Sequence, residues 1–172
     1  ENLASPLSLD FLQYLDQQGR TVAGSSEGRI GASRKAWPAV DTALTGVPRT
    51  TVEVFSPTEL AGIDPALAWR ARQPLATEGS GADARMDEQR GLIIHAAAPV
   101  FDASGKLIGV LEGGLLLNGN LDLVDRLNNL IYSSGSLPLG SQGTATLFLG
   151  DARIATQISL FEGRHPLGTR SP

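Results

Sequence analysis

Two long apolar runs joined by a four-residue turn signal constrain this chain more than any other feature in it. "GLIIHAAAPVFD" and "KLIGVLEGGLLL" are apolar at nearly every position, with "DASG" between them. Runs of this length bounded by turn residues read as strands, and their near-continuous apolar character predicts central strands covered on both faces. The turn chemistry is specific. Asp bonds its own backbone two residues on, and Gly takes positive φ at no steric cost. The cadence also occurs in "FLQYLDQQGRTVAGS", from Phe11 to Ser25, where Asp16 and Gly19 supply the turn, and near the end in "ATLFLGDARIATQI". Three hairpins are expected.

Between the first and second hairpins the signals are mixed. "SRKAWPAVDTALTG" predicts a short helix begun or interrupted near Pro38, with Ser33 as a cap and Gly46 as a stop. "TTVEVFS" is rich in β-branched residues and alternates, so it reads as a strand. "SPTEL" carries Ser56 as N-cap, Pro57 at the first helical position and Glu59 where a capping box needs it. Asp64-Pro65 starts a second helical stretch, "ALAWRARQPL", which ends before Pro74. "ATEGSGADARMDEQR" is a surface loop by composition. After the central strands, Asn120 or Gly119 caps "NLDLVDRLNNLIY", an amphipathic helix of about three turns. "SSGSLPLGSQG" is a linker.

This order describes an α+β module, an antiparallel sheet with helices packed over it, of the PAS kind. The third hairpin starts a sibling unit. Two strands bury no core alone, so it must lean on the first module or on another chain. A length of 172 residues leaves no easy room for a full second domain. Both ends, "ENLASPLSLDF" and "GTRSP", are expected to be cuts in a longer protein.

Composition then narrows the function. A net charge of −4 gives no basic face for a phosphate backbone, which argues against nucleic acid as a partner. The absence of cysteine removes disulfides, thiolate metal sites and cysteine nucleophiles together. No GxSxG elbow and no Walker loop occurs, and "GSGAD" does not sit between a strand and a helix. His95 and His165 are not spaced as a metal pair, and Asp87 with Glu88 reads as a solvated loop face. No catalytic residue, metal ligand or cofactor is expected, and no enzymatic activity.

From Gly91 to Arg170, and above all at "IHAAAP", "GVLEGG", "SQGTATLFL" and "LGTR", the chain resembles the double Cache (PAS-like) extracytoplasmic sensory domains of bacterial two-component sensor kinases and related receptors. The resemblance implies a membrane-distal PAS-like module over residues 1–118, a connecting helix and linker over 119–142, and the first hairpin of an incomplete proximal module over 143–172. It implies a periplasmic, ligand-sensing input domain of a membrane-anchored signalling protein, most readily a sensor histidine kinase. A diguanylate cyclase or a chemoreceptor is the other output, and a homodimer is among the expected partners. The rival reading is a dimerisation or interaction module of the same fold, using the helix from Leu121 to Ile131; a weaker one is a cytosolic PAS-type domain. The family's long N-terminal helix and the elements that follow "LGTR" are not in this chain.

A PAS-like module binds small molecules between its sheet and the segments laid over it. Trp69, Arg70 and Arg72 lie on the helix before the central strands, where a guanidinium fork suits a carboxylate; the plain alternative is a solvated helix face. The spaced Tyr, Arg, Trp and Tyr signature of amino-acid sensors is not reproduced. His95 shares its strand face with Ile93 and Ala97, and either faces the pocket or is a core histidine satisfied by backbone. "HAAAP" leaves volume for a ligand or a large neighbour. Tyr14 is a hydroxyl donor into that space or a packing residue, and Glu112 a counter-charge for an arginine or a solvent-facing group.

Overall fold

The computed structural model describes residues 9–26, 28–75, 86–132, 143–158 and 166–169. In chain order its elements begin with β1 (Phe11–Leu15), β2 (Thr21–Gly24), α1 (Pro38–Leu44), β3 (Arg49–Phe55), α2 (Pro57–Ile63) and α3 (Pro65–Ala71). They continue with β4 (Gln73–Pro74), β5 (Asp87–Glu88), β6 (Gly91–Phe101), β7 (Leu107–Leu116), α4 (Leu121–Ile131), β8 (Thr146–Leu149) and β9 (Ala152–Thr156). They divide between two compact units, Glu1–Trp69 with Arg90–Leu116, and Arg70–Gln89 with Leu117–Pro172.

The first unit is α+β. Its five strands form one antiparallel sheet in the order β2-β1-β7-β6-β3, an arrangement compatible with a PAS-like fold. The β1–β2 and β6–β7 hairpins, which turn at the same end of the β1–β7 pair, are turned by the same device. Asp16 Oδ1 accepts from the amides of Gln18 and Arg20, both at 2.9 Å, and Gly19 takes φ 72°. Asp102 Oδ1 accepts from Ser104 at 2.8 Å and Lys106 at 3.0 Å, and Gly105 takes φ 81°. Short local bonds to Asp, with glycine three residues on, let two strands meet across one turn.

Strand alternation then sorts the residues by face. Phe11, Leu15, Phe55, Ile93, Val110 and Leu116 point to one side and are buried. Leu60 and Ile63 of α2 are buried as well, and so are Ala39, Val40 and Ala43 of α1, which packs against β3, β6 and β7. Full burial of each large apolar side chain contributes about 1.5–3 kcal/mol. The other side of the sheet carries Leu12, Val52, Val54, Ile94, Ala96 and Leu111, and of these Val52, Val54, Ala96 and Leu111 are exposed. The expected coverage of both faces is therefore corrected. β6 alternates buried with exposed or half-buried positions, because helices lie over one face only among the described residues.

Local expectations fare unevenly. The capping box at α2 is complete: Ser56 Oγ accepts from Glu59 N, and a Glu59 oxygen accepts from Ser56 N at 2.8 Å. α1 starts at Pro38 and not near Ser33, which instead pairs with Arg20 as an isolated bridge. Pro38 fixes φ for the first helical turn, and the four residues before it make a separate turn through Trp37 N to Arg34 O at 2.9 Å.

The second unit contains a short ladder and a hairpin. β4 pairs antiparallel with β5, and β8 with β9 through the two-residue connection at Gly150 and Asp151. That turn is shorter than the other two. The free edge of β9 is not bare, since Gly168 N donates to Arg153 O at 2.9 Å and Arg153 N to Thr169 O at 3.0 Å. α4 packs on β9, and Gly119 N donates to Ile154 O at 2.7 Å. Asn120 caps α4 by accepting from Leu123 N at 2.9 Å. The third hairpin thus finds its partners within its own unit.

Arg70–Gln89 groups with this unit, where its own β4–β5 ladder closes the segment and Asn118 Nδ2 donates to Ala71 O at 2.8 Å. Glu88 is buried, which corrects its assignment to a solvated loop face. "GSGAD", His165 and nearly all of "SSGSLPLGSQG" lie outside the described residues.

Candidate functional site

The centre of the sheet's covered face is charged. On β6, His95 follows Ile93 by two residues and so shares its face, where it is fully buried. β7 brings Glu112 alongside, also buried, with its Oε2 accepting from His95 Nε2 at 3.0 Å. From the edge strand β3, Glu53 places Oε1 at 3.3 Å from His95 Nδ1, ion-pair distance but off the hydrogen-bond axis. The same Glu53 oxygen accepts from Ala39 N at 3.1 Å and so satisfies an orphan amide in the first turn of α1. One imidazole therefore stands between carboxylates from two different strands.

Aromatic rings close the space around it. Trp37 and Phe55 stack at 4.6 Å, and each presents an edge to the imidazole, at 5.5 and 5.4 Å. Phe11 lies at 6.1 Å. The Arg34 guanidinium covers the Trp37 ring at 4.5 Å and donates to Gly62 O at 2.7 Å. Trp37 Nε1 in turn donates to Glu59 at 3.0 Å, which joins the cluster to the capping box of α2. Gln13 on β1 sits opposite Glu112 in the ladder, is buried, and accepts from Thr21 Oγ1 at 3.4 Å.

The electrostatics follow from this geometry. Burial alone would lower the His95 pKa, but hydrogen bonding to Glu112 and the nearness of both carboxylates override it and push it up to about 9. Burial raises Glu112, and the imidazolium only partly offsets that. Both shifts have one meaning: the pair holds a proton more tightly than water does. Burial lowers the pKa of Arg34 against the pull of Glu112 and Glu59. Four buried polar atoms here have no hydrogen-bond partner, namely Gln13 Nε2, Arg34 Nε, His95 Nδ1 and Glu112 Oε1. Among the described residues no group of His, Asp and Glu is placed to hold a metal ion. A protonated imidazole offers no lone pair to one.

The residues expected to form a ligand site are dispersed. His95 lies on the predicted face, but its Nε2 bonds the Glu112 carboxylate and not backbone, with Glu53 at ion-pair distance from Nδ1. Tyr14 lies on the opposite face of the sheet, where its hydroxyl donates to Ile108 O at 3.0 Å; Gln13 takes the inward position. Trp69 is 73% exposed. Arg72, in the second unit, pairs outward with Asp87 at 2.6 Å. Arg70, in that unit also, lies in the last turn of α3. Glu112 is a counter-charge, for a histidine first and Arg34 second.

The expected cavity beside the alanines is corrected too. Rings of Trp37, Phe55 and Phe11 fill the space on the covered face, while Ala96 and Ala98 point the other way. There they line an open, mostly apolar hollow of about 520 Å³ together with Leu9, Leu12, Thr50 and Leu111. A second open hollow, of about 680 Å³, is lined by Ser33, Lys35, Pro38, Asp41, Thr42 and Arg49.

Glu53, Arg34 and Gln13 were not legible as site residues. Glu53 sits between two valines that a buried strand would turn inward, and Arg34 precedes its helix with no motif. Gln13 alone left a signal, since it alternates with Phe11 and Leu15. No helix of the described residues is long and apolar enough to cross a membrane. No protein-family model matches the chain, and no curated protein matches it significantly.

Proposed function

We propose that this chain is the signal-input portion of an extracytoplasmic bacterial receptor of the double Cache type, most readily a sensor histidine kinase. The observation that carries this reading is a five-stranded antiparallel sheet, roofed on one face, whose centre is a closed cluster of charged residues. An input domain needs two packings close in free energy, with a signal that favours one. A buried ion cluster supports such a pair, because its worth depends on every partner staying in place. Arg70, Arg72, Trp69 and Tyr14 do not support the reading. A small-molecule signal would bind at one of the open hollows of the first unit or by displacing the rings over His95.

A specific observation also favours the rival reading of an interaction or dimerisation module. Val52, Val54 and Leu111 lie exposed on one sheet face, where Leu111 also lines the alanine-bearing hollow. Exposed large apolar side chains gathered on one face are a mark of interaction surfaces. A thermal-shift screen of organic acids, amino acids and amines separates the two. A ligand present at 100 times its Kd stabilises the folded state by about 2.7 kcal/mol, a rise of several degrees in Tm. Such a rise is expected for at least one compound. A flat screen with concentration-dependent self-association in sedimentation would favour the interaction module.

A further inference from the structure

The charged and polar groups around the sheet's centre converge on His95 from several elements. β3 contributes Glu53, β7 contributes Glu112, and the turn before α1 contributes Arg34. α2 contributes Glu59, held to Trp37; β1 contributes only the neutral Gln13; and α1 sends only apolar residues inward. β3 is an edge strand, so among the described residues no strand holds its outer side. Its Glu53 also holds the start of α1, and Arg49 of the same strand donates to Thr42 Oγ1 at 3.2 Å, so β3 and α1 are fastened to each other and move as a pair.

We propose that the proton carried by His95 is a latch: bound between Glu53 and Glu112, it holds β3 and the start of α1 onto β6 and β7, and its departure releases them. Without that proton two carboxylates face a neutral ring in a space walled by Trp37, Phe55 and Phe11, where neither is easily solvated. The strand that gives up its carboxylate's partner is β3, which pairs on one side only among the described residues, and it is the one released. That the latch serves as the receptor's input rests on the function proposed above; the latch itself does not.

The size of the effect can be bounded. A released His95 titrates near 6.5 and a latched one near 9, so the latched state prefers the proton by about 300-fold. Complete inversion of a two-state equilibrium takes about 10⁴-fold. The proton therefore moves the balance from roughly 17:1 to 1:17 at most. It biases the change, and a second signal at the same module would add to it.

The test is an NMR titration of the full chain from pH 5.5 to 10.5. It follows the His95 ring, assigned by comparison with a His95→Gln variant or through contacts to the Trp37 ring, together with the methyls of Val52, Val54 and Val124. The expected result is a His95 midpoint near 9, with the Val52 and Val54 methyls of β3 shifting at that midpoint and Val124 of α4 unmoved. Glu53→Gln and Glu112→Gln should each lower the midpoint by tenfold or more in proton affinity. A midpoint at or below 6.5 overturns the latch, and so does titration that leaves the β3 methyls in place. If the variants do not fold, the native titration already decides. Repeating the ligand screen at pH 6 and pH 10 keeps the two proposals apart: a flat screen beside an intact titration counts against ligand sensing alone, and pH-independent β3 with a ligand hit counts against the latch alone.

Discussion

Gly114 passes directly beneath the Phe11 ring on the covered face of β7. A Cβ added there would stand 2.4 Å from Phe11 Cε1 and 2.9 Å from Ile93 Cγ2. Neither can withdraw easily, since Phe11 and Ile93 are fully buried and Phe11 borders the imidazole of His95. Gly114→Ala is expected to cost about 1–3 kcal/mol, the range for overpacking a tight core, read as a lower midpoint in urea at unchanged slope. A cost below about 0.5 kcal/mol would mean that Phe11 has room to move and the wall around His95 is loose. At this scale the face of His95 was legible, because side chains alternate strictly along a strand. The company it keeps was not, since Glu53, Glu112 and Arg34 arrive from positions 42, 17 and 61 residues away in sequence.

Elements differ in how much they owe to their own residues. α2 is short, at 7 residues, and nucleation is costly for a helix of that length. Its start is therefore fixed by Ser56, Pro57 and Glu59 acting together. Ser56→Ala removes the side chain that accepts from Glu59 N and also binds a Glu59 oxygen at 2.7 Å. A loss of about 1 kcal/mol is expected, visible as a drop of a few degrees in Tm. Ser56→Thr, which keeps the hydroxyl as both acceptor and donor, should recover most of it, while Ser56→Asp, which caps but sets a second carboxylate against Glu59, should recover less. β3 shows the opposite dependence. Its valines face outward and its glutamate inward, the reverse of what its pattern favours. Pairing with β6 from Arg49↔Ala97 to Phe55↔Gly91 sets that register, and Phe55 at its end is the residue that the core requires inside.

The whole molecule responds to pH from both sides. Burial works against ionisation of Glu59, but the Ser56 hydroxyl and amide and the Trp37 indole more than reverse it and hold the carboxyl below 4.5. Asp102 is held below 3.8 by the Ser104 hydroxyl and the amides of its turn. Groups lowered on folding contribute stability that is present above their unfolded values and lost as pH falls through the folded ones. His95 has the other sign. Raised from 6.5 to about 9, it contributes stability that is complete below pH 6.5 and lost as pH rises through 9, on the order of 3 kcal/mol in all. Glu112, raised from 4.5, acts in the same direction. Calorimetry from pH 3 to 10 should therefore find the highest Tm between about pH 4.5 and 6.5 and a fall toward pH 9. In His95→Gln that alkaline fall should flatten. A native profile level from pH 6 to 10 would show that the cluster does not hold its proton.

What could be read from the residues alone was what lies close along the chain. The two Asp-to-Gly turns, the capping box at Ser56, the helix from Leu121 and the α+β order of elements all depend on atoms within a few positions of each other. Pairing in space settled the rest: that one sheet face stays open, that Arg70–Gln89 joins the later unit, that Tyr14 turns away from His95 while Gln13 turns toward it. The ion cluster is the clearest case. A carboxylate in an alternating strand is cheap in water and costly in a core, so its sequence points outward until a buried histidine and a helix amide, supplied by other parts of the chain, make the interior the better place for it.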